Sequence, residues 1–165
     1  MAKTGLKSRI LPKEWAEFEE LKISIRLKKN SSFLSFIAVD TGGLRDDLLE
    51  YLAAITGGKY MLQRGFSREF FCRHIESPDD TSKYIVLDMY DGIGANEAVR
   101  TLQFNRDYIP KNNVKLIIIT NHELFLEFAQ NAPDLTSFSL FSIVLKDMLY
   151  TSNSSFDGDA ELGKM

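Results

Sequence analysis

Three short apolar runs, each ending on a polar turn, constrain this sequence more than any other feature in it. They are Phe33 to Val39 (FLSFIAV), Tyr84 to Met89 (YIVLDM) and Lys115 to Thr120 (KLIIIT). A run of this length without a helical gap reads as a strand buried on both faces. KLIIIT, β-branched and bounded by polar residues, is the clearest of the three. Between the runs the period changes. Leu44, Leu48, Leu49, Leu52 and Ile55 repeat at helical spacing up to Thr56-Gly57-Gly58, where glycine suits a left-handed helix end. A second helix is expected from about Asn96 to Tyr108, using Val99, Leu102 and Ile109, with Pro110 and Asn112-Asn113 ending it. A third, Glu123 to Gln130, turns Leu124, Phe125, Phe128 and Ala129 inward. Lys59 to Gln63, Glu69 to Ile75 at an edge, and Phe138 to Leu145 complete the expected strands. Strands alternating with helices predict an α/β fold: a three-layer, doubly wound, mostly parallel sheet of about five strands.

The N-terminal part stands out by charge. Residues 1–29 hold eight Lys/Arg against four Glu, whereas the whole chain carries 20 basic and 23 acidic residues for a net charge of -3. Trp15, Phe18, Leu21, Ile25 and Leu27 recur near helical spacing, so Pro12 to Leu27 is expected to form an amphipathic helix packed on the domain. The expected organisation is this N-terminal helical segment (1–29), an α/β domain (30–150) and a small, polar, acidic tail (151–165) expected to be disordered. A 165-residue chain with 44% apolar residues can bury a core without staples. The single cysteine, Cys72, and the lack of any run of about 18 apolar residues point to a cytoplasmic protein. With so small a net charge, neither nucleic acid nor membrane is expected as a partner.

Ligands of such sheets gather at the carboxyl ends of the strands. Here those ends carry Asp40-Thr41-Gly42-Gly43, Asp88 to Gly94, and Thr120-Asn121-His122. A Walker phosphate loop needs glycine N–H groups, a lysine for the terminal phosphates and a Ser/Thr for magnesium, and the sequence after Val39 (DTGGLRDDL) has no Lys-Ser/Thr pair. Gly57-Gly58-Lys59 follows a helix instead of opening one and reads as a helix cap. YIVLD has the form of a Walker B strand whose Asp88 would hold magnesium, and Asn121 sits where a phosphate-sensing polar residue would. Asp40, Thr41, Gly42, Gly43, Asp88 and Asn121 are therefore the vestigial nucleotide- or phosphate-binding residues. Arg64, Phe66, Arg68, Phe70 and Phe71 interleave basic and aromatic residues and form the expected partner-binding patch. Cys72 and His74 would share a strand face, but two side chains do not make a zinc site, so no metal is expected.

Asn105-Arg106-Asp107-Tyr108-Ile109, the KLIII run, Ala129 and above all Ala132-Pro133-Asp134-Leu135-Thr136-Ser137-Phe138 resemble the core of bacterial STAND-type, AAA-like ATPase domains, which are often joined to tetratricopeptide repeats. The resemblance spans roughly residues 33–146, and Leu44-Arg45-Asp46-Asp47-Leu48-Leu49 resembles members whose Walker loop has decayed. It implies a switch protein of signalling or defence in which nucleotide state gates a partner or effector. Without the loop lysine, the lid or the repeats, it implies for this chain a non-hydrolysing P-loop-like interaction or regulatory module docking on a protein partner, with no cofactor. Two alternatives stay open. One resembles receiver domains: Asp88 as phosphoacceptor, magnesium at Asp40, and Thr120 and Lys146 on the phosphoryl oxygens. The other is an ATPase holding Mg2+ with ATP or ADP through an atypical phosphate loop, in which Lys59 replaces the missing lysine.

Overall fold

A computed structural model describes residues 5–27 and 31–149. In it the strand-like runs form one sheet of five parallel strands in the order β2-β3-β4-β1-β5. These are β1 (Phe33–Ala38), β2 (Tyr60–Arg64), β3 (Tyr84–Asp88), β4 (Lys115–Thr120) and β5 (Phe141–Val144). The central strands β1 and β4 are buried at every position, because helices cover both sheet faces and leave no polar side to alternate with. They pair in register from Phe33 opposite Lys115 to Ala38 opposite Thr120.

The two-residue strand period divides the core into two layers. Leu34, Phe36, Leu87, Leu116 and Ile118 face α5 (Ala95–Phe104), α7 (His122–Asn131) and α8 (Pro133–Ser137), meeting Leu102, Phe128 and Leu135. Ile37, Val86, Ile117, Ile119 and Ile143 face α3 (Gly42–Ile55) and the N-terminal helices α1 (Gly5–Arg9) and α2 (Pro12–Leu27), meeting Leu44, Leu48, Phe18, Leu21 and Ile25. This is the expected three-layer architecture. Tyr51 of α3 receives Trp15 and Phe18 edge-on, each with ring centroids 5.4 Å away. Leu27, expected on the inner stripe of α2, is instead exposed.

The main departure lies at Glu69 to Ile75, which is helical and not an edge strand: α4 (Arg68–Phe71) runs into a π-helical turn, Cys72–Glu76. Ser67 caps α4, its Oγ accepting from the Phe70 N–H at 3.0 Å, and Phe70, Phe71 and Ile75 all reach the core. Capping plus helical spacing of the large apolar groups overrides the strand-like mixture of aromatics and charges. In a helical turn, residues two apart point to opposite sides, so Cys72 and His74 do not form a pair. His74 lies against the Phe70 ring at 5.5 Å. The helix expected over Asn96 to Tyr108 stops at Phe104, where the Asn105 amide folds back on the Thr101 carbonyl at 2.8 Å, and resumes as α6 (Tyr108–Lys111). Ala129 is exposed, and β5 starts three residues later than expected because α8 uses the chain up to Ser137. The tail from residue 151 lies outside the described residues.

The loop after β3 has one position only glycine can fill. Gly94 adopts φ +75° and lies so close to Phe66 that a Cβ would overlap its carbonyl oxygen. The close approach lets the Phe66 N–H bond the Ile93 carbonyl at 2.9 Å, tying the start of the α4 segment to the loop that carries Tyr90 and Asp91.

Candidate functional site

The carboxyl ends of β1, β3 and β4 lie side by side, and they bring together the residues singled out in the sequence. Only Val39, Asp40 and Thr41 separate β1 from α3. Thr41 is the N-cap: its backbone is extended (φ -138°, ψ 155°) and its hydroxyl oxygen accepts from the Leu44 N–H at 3.0 Å. A phosphate-wrapping loop holds four residues between its glycines and then a lysine; a three-residue connection provides neither.

What lies on the first turn of α3 belongs to the chain itself. The Thr41 hydroxyl donates to Asp147 Oδ2 at 2.6 Å. Arg9 donates to the same carboxylate from Nε at 3.2 Å and Nη2 at 2.7 Å, and reaches Asp47 from Nη1 at 3.1 Å. The Asp147 side chain is only 1% exposed; its Oδ1 also accepts from the Leu149 N–H at 3.0 Å, and its own N–H donates to Asp40 at 2.9 Å. Hydrogen bonding to Asp147 is the main reason the Arg9 guanidinium stays above its usual pKa despite its desolvation. Gly43 makes room for this arrangement: a Cβ there would stand 2.7 Å from Arg9 Nη2. The positive end of α3 thus faces an internal carboxylate, and that carboxylate is balanced by an internal cation.

Asp88 ends β3 in a second closed network. Its Oδ2 accepts from Arg45 at 3.1 Å and Arg64 at 3.3 Å, and its Oδ1 from the Tyr90 N–H at 3.0 Å. Arg45 also bonds Asp46 at 2.9 Å and lies over the Tyr90 ring at 5.3 Å. Burial alone would lower the Arg45 pKa; the carboxylates of Asp46, Asp88 and Asp91 outweigh it and leave it raised. Magnesium with a nucleotide does not fit these residues. A cation at Asp88 would have to displace two guanidinium groups, and among the described residues no group of three His, Cys, Asp or Glu side chains could hold a metal ion. Asn121 is likewise used up: Oδ1 caps α7 at Leu124 N (2.6 Å) and Nδ2 donates to the Tyr90 carbonyl (2.8 Å).

The alternatives meet specific obstacles. Receiver domains use the strand order 2-1-3-4-5, which differs from the order here. Strands β4 and β1 separate Asp88 from the β5 side that carries Lys146, which is exposed, and Thr120 Oγ1 is buried in the layer of Ile118 without a hydrogen-bond partner among the described residues. The sheet order therefore corrects the receiver reading. Lys59 precedes β2 at the opposite end of the sheet, so a five-residue strand, ~16 Å long, separates it from the carboxyl ends where the missing lysine would act. The patch Arg64, Phe66, Arg68, Phe70 and Phe71 is also corrected. All three phenylalanines are buried in the core, leaving only the arginines outside, with Arg64 spent on Asp88 and Arg68 over the Phe71 ring.

Sequence reasoning missed Arg9, Arg45 and Asp147, the residues that close the site. Arg45 follows the Thr-Gly-Gly turn, where a lysine was sought, and an arginine at that point was the available signal. Arg9 and Asp147 meet across 138 positions, and nothing local marks either.

No family model matches the sequence, and no curated protein matches it. Among solved structures, the chain is similar to the Aeropyrum pernix ORC2 protein in its ADP form, with 10% identity and a TM-score of 0.42 over 79% of this chain and 46% of that one. It is similar also to the same protein in ADPNP–ADP complexes, with 13% identity and a TM-score of 0.41 over 82% and 48%. The chain spans under half the length of those chains. Among the described residues no helix is long and apolar enough to cross a membrane.

Proposed function

We propose that this domain is a non-hydrolysing, P-loop-like interaction or regulatory module, related to STAND switches of bacterial signalling or defence, that docks on a protein partner. The observation that supports this reading is the Asp147 carboxylate held by Arg9 and Thr41 over the first turn of α3. A phosphate brought to that turn would meet a buried negative charge and no lysine. The Asp88 network works in the same direction: the carboxylate that would bind magnesium is instead neutralised by Arg45 and Arg64. In such a module the sheet acts as a rigid frame, and recognition falls to the surface around it.

Thermal melts of the full chain with and without magnesium plus ATP, ADP or beryllofluoride test the reading. A ligand present at 100 times its Kd stabilises the folded state by about 2.7 kcal/mol, which is plainly visible as a shift. No shift is the expected result. A shift with ATP or ADP overturns the non-binding reading, and a shift with magnesium and beryllofluoride alone overturns it in favour of a phospho-switch.

A further inference from the structure

The outer helical layer formed by α5 and α7 has a groove between its two helices, about 290 Å³ in volume, whose lining includes Arg100, Gln103 and Phe104 of α5 and Glu127 and Asn131 of α7. Two large apolar side chains stand out at this face: Phe104 is 77% exposed and Leu126 57%. Phe104 lines the groove itself, while the inner side of the same layer buries Val99, Leu102, Leu124 and Phe128. The charged residues of the groove are one cation and one anion, and neither Arg100 nor Glu127 has an ion-pair partner among the described residues.

The fold places these two charges at equivalent positions of neighbouring helices. α5 and α7 follow the parallel neighbours β3 and β4 and both start at the carboxyl end of the sheet. Each helix has ten residues, and Arg100 and Glu127 are each the sixth. A two-fold axis lying along the groove would turn a second copy over so that its α5 rests on this copy's α7 at the same height. Arg100 of each copy then meets Glu127 of the other, and each exposed Phe104 comes down on the lower end of the opposite α7. An isologous contact requires a surface complementary to itself, and a face with one charge of each sign at equivalent positions of its two helices meets that requirement.

We propose that the α5–α7 face is the interface of a homodimer, with Phe104 as its apolar anchor and reciprocal Arg100–Glu127 pairs fixing its register. This surface is separate from the closed strand-end site, so the homodimer stands or falls independently of the nucleotide reading.

Sedimentation equilibrium of the full chain at increasing concentration tests it. The wild type is expected to dimerise, and Arg100→Glu and Glu127→Arg are each expected to weaken the dimer about tenfold or more, because each places like charges opposite one another twice. The double variant Arg100→Glu/Glu127→Arg is expected to recover the wild-type Kd, an outcome that a general loss of folding would not produce. Phe104→Ser is expected to give monomer with an unchanged far-UV circular dichroism spectrum. A wild type that stays monomeric throughout overturns the proposal and leaves the groove to a different protein. A dimer indifferent to Phe104→Ser, or a charge swap that fails to restore association, overturns it as well.

Discussion

Replacing Asp147 by Asn probes the closed strand-end site without changing its shape. The carboxylate accepts from Arg9 twice, from Thr41 and from the Leu149 N–H. An asparagine keeps one acceptor oxygen and turns an amide either toward Thr41 and Arg9 Nη2 or toward Arg9 Nε and Leu149, so donors face donors and the charge that balances Arg9 disappears. Breaking a fully buried ion pair by removing one partner costs about 3–5 kcal/mol. Here Arg9 keeps Asp47 and is about a fifth exposed, so a loss of about 2–3 kcal/mol follows. In a chain of this size that lowers Tm by ~4–12 °C. Arg9→Ala should cost a similar amount, and the double variant should fall short of the sum by about 1 kcal/mol or more. Gly43 supplies a sign test. Gly43→Ala should destabilise the wild type, because the new methyl meets Arg9 Nη2, yet stabilise the Arg9→Ala variant by about 0.5–1 kcal/mol, as Ala over Gly does in an unobstructed helix. Melts of the wild type and the five variants decide it. An Asp147→Asn protein that melts with the wild type, or a Gly43→Ala effect of the same sign in both backgrounds, would refute the reasoning.

Further outcomes follow from the same geometry. Asp88→Asn should lower stability by about 1–3 kcal/mol in urea unfolding, the lower part of the range reflecting the 56% exposure of the Arg64 side chain, and it should act through Arg45, so that Arg45→Met reduces the effect. Thr120→Val should raise Tm, because it removes a buried hydroxyl that has no partner among the described residues; a fall would mean that the hydroxyl is in use. Burial pushes the Tyr51 phenol up to about 12, above the value of about 10 it has when unfolded. Folding therefore favours its protonated form: the contribution is fully present below about pH 10 and lost as pH rises toward 12. Tyrosinate absorbance should show a late-titrating component that Tyr51→Phe removes.

The sheet was legible because its signal is local. A parallel strand buried on both faces must be apolar at nearly every position, and FLSFIAV, YIVLDM and KLIIIT satisfy that within a few residues. The helix stops at Thr56-Gly57-Gly58, and the location of Asp40, Asp88 and Asn121 at strand ends, follow from the same local chemistry. The segment 69–75 was misread because Phe70, Phe71, Cys72 and Ile75 among charges fit either period, and only a core waiting on one side of the segment selects the helix. The aromatic patch was misread for the same reason: sequence shows that phenylalanines are present and tertiary packing decides which are covered.

The chain alone thus determined an α/β layer order, the strand ends where a site would lie and the absence of a phosphate-loop lysine. Tertiary structure alone decided the state of that site. Whether Asp88 is a free carboxylate depends on Arg45 and Arg64, which come from two other elements. Whether the start of α3 is open depends on Arg9 and Asp147, which lie near opposite ends of the chain. A charge is neutralised by whatever lies within about 4 Å of it in space, and separation along the chain carries almost no information about that distance.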